Sequence, residues 1–495
     1  MPSRKAKVIA LSLGSGLTTL VGTLTSMVFA RVLSMTDLAT YRQTLLAYEF
    51  AMPFLTLGIP SSLYYFLTGE KERPRGVILD NMCLLFFMGL IFTVFLLLGG
   101  NVLLARRFDN PALRETLSWF SFYPLLTFPV LGLSGVLIIQ DKVNLSVVIN
   151  TLQSLILTVS VFFAGWLTKS YRWPLFVKII FAGISAVVMI WISFHAVKGK
   201  WSPPKFDKMW AVLKFAAPLG VAGLLGSLML QLDKVIVSSM CSPADFAVYS
   251  NGAFEVPFIG MITGAVTTVV MVDMVKFCKE GNYQEALVLF KRAAVLSALF
   301  LLPLMVFLLA FSRDFVLFLF SAKYSQSLLP FIIYLFVLPI RIVVYGSAFV
   351  ALGLTQMVFW RSIGDVCINA LLSILAVWLW GAWGAAVATI ATLYLWTVPF
   401  NLFTLGRKFN CSPVSLLPWK KIGIVLCVSI LSCSISSITL LFEMAHFLRL
   451  MIGGLLFGSC YLVIGCKCIP ELADLRTSLL SKLRSSFSCR NLQST

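Results

Sequence analysis

Asp37-Leu-Ala-Thr-Tyr41 recurs 208 residues later as Asp245-Phe-Ala-Val-Tyr249. The neighbours of each copy recur with it. Ala47-Tyr-Glu49 returns as Ala253-Phe-Glu255, and Gly58-Ile-Pro-Ser61-Ser62 as Gly264-Ala-Val-Thr267-Thr268, both at an offset of 206. Further on, Ile149-Asn150-Thr-Leu152-Gln-Ser154 returns as Ile368-Asn369-Ala-Leu371-Leu-Ser373 at an offset of 219. Each match is short. Four in one order, with offsets drifting as loop insertions make them drift, mark an internal duplication.

Around these motifs the chain is apolar from end to end. Of 495 residues, 59% are hydrophobic and 12% charged, whereas a soluble domain carries about a quarter charged residues. Crossing ~30 Å of hydrocarbon takes about twenty apolar residues. Spans of that kind lie at 8–32, 43–67, 77–105, 115–139, 144–167, 173–197, 211–238, 247–274, 289–312, 328–352, 357–380, 383–405, 419–441 and 447–466, with a tight turn at Gly381-Ala-Trp-Gly384. The basic start, Met1-Pro-Ser-Arg-Lys-Ala-Lys7, leads into the first span with no cleavage-site pattern, so that span reads as a membrane helix and not as a removable signal. Eleven cysteines are scattered through spans and short loops, and Cys466-Lys-Cys468 has no partnering Cys or His pair; neither zinc nor a disulfide framework is expected.

The net charge of +19 invites a nucleic-acid partner, but its distribution argues for a topology signal instead. With the N-terminus in the cytoplasm, 25 of the 39 Lys and Arg residues fall on the cytoplasmic side, as the positive-inside rule requires. Both termini are then cytoplasmic, and the charge favours anionic membrane lipids. The tail after Lys467 spaces Leu472, Leu475, Leu479 and Leu483 among basic residues, a pattern that suits a helix lying on the inner leaflet.

The matched motifs pair span 1 with 7, 2 with 8 and 5 with 11. Six spans per copy is an even number, so the copies share one orientation. The expected architecture is an all-α polytopic membrane protein of about fourteen spans: a lobe at 1–205, a second at 206–410, two further helices at 411–468 and a cytoplasmic tail at 469–495. Two parallel six-helix lobes around a central cavity suit alternating access better than a channel, with substrate held between the lobes.

At this point the chain resembles the polysaccharide (O-antigen-type) flippases of the multidrug/oligosaccharidyl-lipid/polysaccharide exporter superfamily. The residues that carry the likeness are Ala30-Arg31-Val-Leu33-Ser34 and Asp37 to Tyr41, then Phe215-Ala-Ala-Pro218-Leu219 with Leu232-Asp233-Lys234, Ala247-Val-Tyr249-Ser250, Ala351-Leu352-Gly353 and Gly381 to Thr389. It covers most of residues 8–405. Ala39 and Ala247 depart from the glycine expected there, and the first lobe near Gly165 matches poorly the glycine-rich motif of span 12. The resemblance implies two bundles around a cavity and movement of an undecaprenyl-pyrophosphate-linked oligosaccharide from the inner to the outer leaflet. It also implies the inner membrane as location, with surface-polysaccharide polymerases and glycosyltransferases as partners. A cation-coupled multidrug exporter of the same superfamily is the alternative.

An enzyme is not expected. His195 and His446 lack ligand neighbours at helical spacing, Gly14-Ser-Gly16 lacks the rest of a nucleotide fingerprint, and no Walker-type loop occurs. A polytopic glycosyltransferase or polymerase is disfavoured by uniformly short loops.

Charges inside spans are costly, roughly 2.5–3.5 kcal/mol each at a helix centre, so they are functional candidates. Lys178, Lys214 and Arg341 fall inside spans. Arg341, near the middle of span 10, offers a guanidinium suited to bidentate phosphate binding; the competing reading is a buried pair with Asp365 or Glu255. Arg31, Arg42 and Lys234 are further candidates for a phosphate. Glu49, Asp233, Glu255 and Asp365 are candidates for a coupling Na⁺ or H⁺, against a structural reading for the Glu49 and Glu255 pair. Pro218, above Gly220, Gly223 and Gly226, marks a possible hinge in span 7.

Overall fold

The computed structural model describes residues 4–474 and 477, apart from 71, 141, 200, 255, 257 and 258. Its elements are helices, and no strand occurs among the described residues. Eleven helical segments, from Met35–Thr68 to His446–Cys468, are long and apolar enough to cross a membrane. They fall on the second to sixth and the ninth to fourteenth expected spans. The first, seventh and eighth expected spans fall on Arg4–Val32, Phe206–Met240 and Ile259–Lys279. The all-helical, polytopic class is as read from the sequence, while the count of fourteen rests on the sequence alone.

Several expected spans are not single helices: that at 43–67 breaks between Met35–Thr56 and Ile59–Gly69, and that at 115–139 falls into short pieces from Ala112–Phe120 to Leu133–Ile139. Where one was expected at 247–274, Pro243–Gly252 ends and the chain resumes as Ile259–Lys279. Where one was expected at 328–352, Leu328–Leu335, Leu338–Arg341 and Tyr345–Ala351 follow in three pieces. Pro339 in the second piece fits this. Proline lacks the N–H an inner helical turn must donate and turns the residue before it away from helix. By contrast Phe206–Met240 is continuous through Pro218.

The contacts divide the chain into two compact units, Met1–Asn251 with Ser362–Thr389, and Gly252–Arg361 with Ile390–Thr495. The repeat and the contacts divide the chain differently at 206–251 and 362–389, both of which pack in the first unit.

In the first unit both copies of the repeated motif open a helix in the same way. Ser34 Oγ accepts from the Asp37 N–H at 3.0 Å, and Ser242 Oγ accepts from the Asp245 N–H at 3.1 Å. A serine placed three residues ahead satisfies an N–H that has no partner in the first turn. The repeat therefore begins at the serine, one turn earlier than the motif that revealed it.

The 206–240 helix packs along the helices Met35–Thr56 and Ile59–Gly69. Gly220 meets the break between them: a methyl group there would lie 2.1 Å from the Leu57 carbonyl carbon. Leu57 and Gly58 both take left-handed backbone, at φ 41° and 74°. On the side of Gly220 towards residue 206, Ile59, Leu85, Phe128, Val212 and Ala216 form a closed core, with Phe215 stacked on Tyr65 at 4.6 Å. On the other side the contact is polar. Gln43 donates to Ser238 Oγ at 2.9 Å and Asn110 donates to Gln43 Oε1 at 2.7 Å, all three buried. In a bundle without a hydrophobic drive between helices, close glycine approach and interhelical hydrogen bonds are what hold it.

At the start of the third span the same unit carries a clamp. Arg73 donates to Asp80 Oδ2 at 2.9 Å and to the Pro203 carbonyl at 2.8 Å, while Asp80 Oδ1 accepts from the Lys205 N–H at 2.8 Å. The segment leading into the 206–240 helix is thereby fixed to the start of Pro74–Phe95.

In the second unit, Tyr283–Ala310 packs between Ile259–Lys279 and Trp419–Ser436, and His446–Cys468 closes against Trp419–Ser436 and Ser312–Phe320. Gly453 admits the Phe311 ring, which a methyl group would meet at 2.8 Å. Asp314 accepts from both His446 and Arg449, at 2.6 and 2.8 Å. Leu472, first in the basic tail's leucine stripe, is buried beside Gly465; Leu475, Leu479 and Leu483 lie outside the described residues.

Candidate functional site

A cavity of about 200 Å³ opens in the first unit among the helices Arg4–Val32, Met35–Thr56, Val143–Thr168 and Arg172–Ala196. The cavity-lining side chains include Phe29, Tyr41, Val161, Arg42 and Lys178. Phe29 reaches its place because Gly165 has no side chain; a methyl group at 165 would lie 2.1 Å from the ring. That contact gives Gly165 a local role unrelated to the glycine-rich motif of span 12. The hydroxyls of Thr25 and Thr158 are satisfied by carbonyls one turn back, at 2.7 Å each. The remaining polar lining is the hydroxyls of Ser26 and Tyr41 and two basic side chains, the Arg42 guanidinium and the Lys178 amine.

Glu49 lies on one of the helices that form this cavity. It is seven residues after Arg42 on the same helix, two turns along one face, and it is exposed. Its Oε2 accepts from Gln231 Nε2 of the 206–240 helix at 3.1 Å. Gln231 and Lys234, three residues apart, share one helix face. Tyr48 is held away from the group, its hydroxyl on Thr127 at 3.0 Å.

The structure thus brings Arg42 together with Lys178 in the cavity, and Glu49 together with Gln231, three residues from Lys234; the sequence had placed neither Lys178 nor Gln231 in a site. Lys178 had a signal, being a lysine inside an apolar span. Gln231 had none.

The other candidates lie elsewhere. Arg31 ends the Arg4–Val32 helix and is exposed. Arg341 belongs to the second unit, where it is exposed at the end of the short Leu338–Arg341 helix. Asp233 is buried, accepting from the Tyr249 hydroxyl at 2.6 Å and from the Lys234 N–H at 2.8 Å. It ties the second copy of the repeated motif to the 206–240 helix. Asp365 is buried in the part of Thr355–Trp380 that packs with the first unit. Glu255 lies outside the described residues. His195 bonds its own helix at Trp191, at 2.8 Å. Among the described residues no cluster of His, Cys, Asp and Glu is arranged to hold a metal ion.

A family profile described as "polysaccharide biosynthesis protein" matches residues 5–273. No curated protein matches the sequence. Among solved structures the chain is similar to the lipid II flippase MurJ in an inward closed conformation, at 17% identity and TM-score 0.75, covering 93% of this chain and 100% of that one. It is also similar to a MOP superfamily transporter from Pyrococcus furiosus, at 12% identity and TM-score 0.56, over 82% of this chain and 95% of that one. A third likeness is to the MATE multidrug transporter DinF-BH, at 13% identity and TM-score 0.54, over 82% of this chain and 96% of that one. At these identities the likeness is one of fold.

Proposed function

The chain belongs to the polysaccharide biosynthesis protein family, and we propose that it flips a lipid-linked oligosaccharide across the membrane by alternating access, for assembly of surface polysaccharide. The observation that carries this reading is the pairing of Arg42 with Lys178 in one cavity inside an apolar bundle. Cations placed there must be hydrated, paired or used, and a phosphate-bearing headgroup is the ligand they suit. A lining of this sign repels cationic drugs, which argues against the multidrug alternative despite the shared fold.

In this reading the sugar and its phosphates travel through the polar interior while the lipid chain stays in the bilayer. No bond is made or broken, so the protein's work is binding and a change of access. Undecaprenyl pyrophosphate is the carrier proposed, in the inner membrane, with both termini cytoplasmic. Glycosyltransferases supply the cargo and a polymerase takes it up on the far side. Coupling to Na⁺ or H⁺ is proposed at Asp233 and Asp365, buried carboxylates of the first unit. Asp233 already accepts two hydrogen bonds, so a cation there has to compete with the Tyr249 hydroxyl. Arg341, at a break in its span, is proposed as a second phosphate contact, because broken membrane helices line cavities.

The test is transport by variants that still insert. Arg42→Ala and Lys178→Ala should each cut delivery of lipid-linked sugar to the outer leaflet at least tenfold, with the chain expressed at normal levels. Arg341→Lys should recover only part of what Arg341→Ala loses, since lysine lacks the planar fork. Normal delivery by the Arg42→Ala, Lys178→Ala double variant would end this reading.

A further inference from the structure

The two copies of the Asp-x-Ala-x-Tyr motif share a serine cap and differ at the tyrosine. In the second copy Tyr249 is fully buried and donates to Asp233 at 2.6 Å. Carried back by the motif's own offset of 208, Asp233 falls on Thr25 and Lys234 on Ser26. The Thr25 hydroxyl donates to the Val21 carbonyl one turn back, at 2.7 Å, so the first copy offers Tyr41 no carboxylate at that place. Tyr41 lines the cavity instead, together with Thr25, Ser26 and Arg42.

The rest of the wall fixes the Tyr41 ring. It meets Phe29 edge to face, at 5.2 Å and 78°. Phe29 is 2% exposed and is itself seated in the space that Gly165 leaves. Phe29 is thus the buried back of a corner, and Tyr41, partly exposed, is the ring that a ligand reaches. An aromatic ring with a hydroxyl at its tip matches a sugar, which has apolar C–H faces and a polar rim. The cavity of about 200 Å³ has the room of roughly seven waters at ~30 Å³ each, enough for one sugar ring and too little for several. Arg42 follows Tyr41 directly and lines the same cavity, so the ring and the phosphate contact adjoin.

We propose that Tyr41 is a cargo-binding residue: it seats the one sugar ring next to the phosphates, so that the cavity takes a pyranose 1-phosphate and not phosphate alone. The inference rests on the reading of the Arg42 and Lys178 cavity as the phosphate site. It separates the two tyrosines of the repeat by task, Tyr249 holding helices together and Tyr41 holding cargo. An aromatic face responds to the apolar side of a sugar ring more than to its hydroxyl pattern, so the contact admits more than one sugar at that position.

The experiment measures binding to the full chain in lipid nanodiscs by calorimetry, with glucose 1-phosphate, galactose 1-phosphate and inorganic phosphate as probes. At least one sugar phosphate should bind the wild type about tenfold tighter than inorganic phosphate, a gap of about 1.4 kcal/mol. Tyr41→Ala should lose that gap while its affinity for inorganic phosphate stays within about twofold of wild type. Tyr41→Phe keeps the ring and should keep most of the gap. Tyr249→Phe should lower thermal stability and leave the gap intact. Should Tyr41→Ala fail to insert, Thr25→Asn carries the test. It gives the Tyr41 hydroxyl an acceptor where the second copy has Asp233, turning the ring from the cavity, and should narrow the gap to about threefold. No gap in the wild type, or a gap that survives Tyr41→Ala, would overturn the proposal. So would a Tyr41→Ala chain that loses affinity for sugar phosphate and inorganic phosphate alike, since the ring would then only shape the phosphate site. The phosphate-site reading fails separately, by inorganic phosphate binding that is unaffected in Lys178→Ala.

Discussion

Gly220 and Leu57 touch through their backbones, so close that a methyl group on Gly220 would sit 2.1 Å from the Leu57 carbonyl carbon. Leu57 is in left-handed backbone and precedes Gly58 in the same region, a combination that holds only where neighbours over-determine it. Gly220→Ala should therefore lower thermal stability in detergent by about 1–3 kcal/mol. Gly226→Ala, further along the same helix with nothing near its Cβ, should be neutral or slightly stabilising, as alanine is the better helix former. Equal melting shifts for the two variants would contradict the backbone contact.

The Arg73 and Asp80 pair is the second test. Asp80 is 1% exposed and Arg73 11%, and removing one partner of a buried pair leaves the other charge uncompensated, at about 3–5 kcal/mol. Asp80→Ala also strips the acceptor from the Lys205 N–H. It should destabilise the chain strongly and expose 198–206 to protease. Glu115→Ala breaks an exposed pair with Arg172 and should change stability by less than ~1 kcal/mol.

Much of this was legible in the sequence, and what was missed has a common cause. The repeated Asp-x-Ala-x-Tyr motif marked a duplication, and the structure shows what the two copies share, a helix start capped by Ser34 in one and by Ser242 in the other. Apolar run length located the spans because lipid leaves the backbone no other option. The break in 336–344 was hidden, since apolar composition does not change across a proline-led interruption. The Asp80 clamp carried no signal in the sequence, because the Lys205 N–H that Asp80 accepts lies far along the chain. Lys178 was visible as a charge in a span, but depth alone does not say which way a side chain faces. Arg341 drew attention for its central position, and only packing separates it from Arg42.

Outside the spans, Glu471 provides a pH test. Burial works against its carboxylate, but the hydrogen bond and charge of Lys421, its own N–H and the charge of Arg292 together hold it below the usual carboxylate range. A folded-state value lower than the unfolded one stabilises the docked tail above the unfolded pKa, about 4.3, and that contribution is lost as pH falls through the lowered value. Amide protection in 469–474 should thus be flat from pH 7 to 5 and drop below about pH 4. Glu471→Gln should remove the pH dependence. A drop between pH 7 and 6 would point to another group.

The decisive observation is the leaflet in which lipid-linked oligosaccharide resides when this chain is withdrawn. Depletion in growing cells should leave the lipid-linked units assembled but closed to a membrane-impermeant sugar-oxidising or lectin probe added outside, with surface polysaccharide lost. Re-expression of the wild-type chain should restore access, and an inserted Arg42→Ala, Lys178→Ala double variant should not. If outer-leaflet access and surface glycan persist without the chain while cationic dyes accumulate in the cells, the protein exports drugs and the flippase reading is wrong.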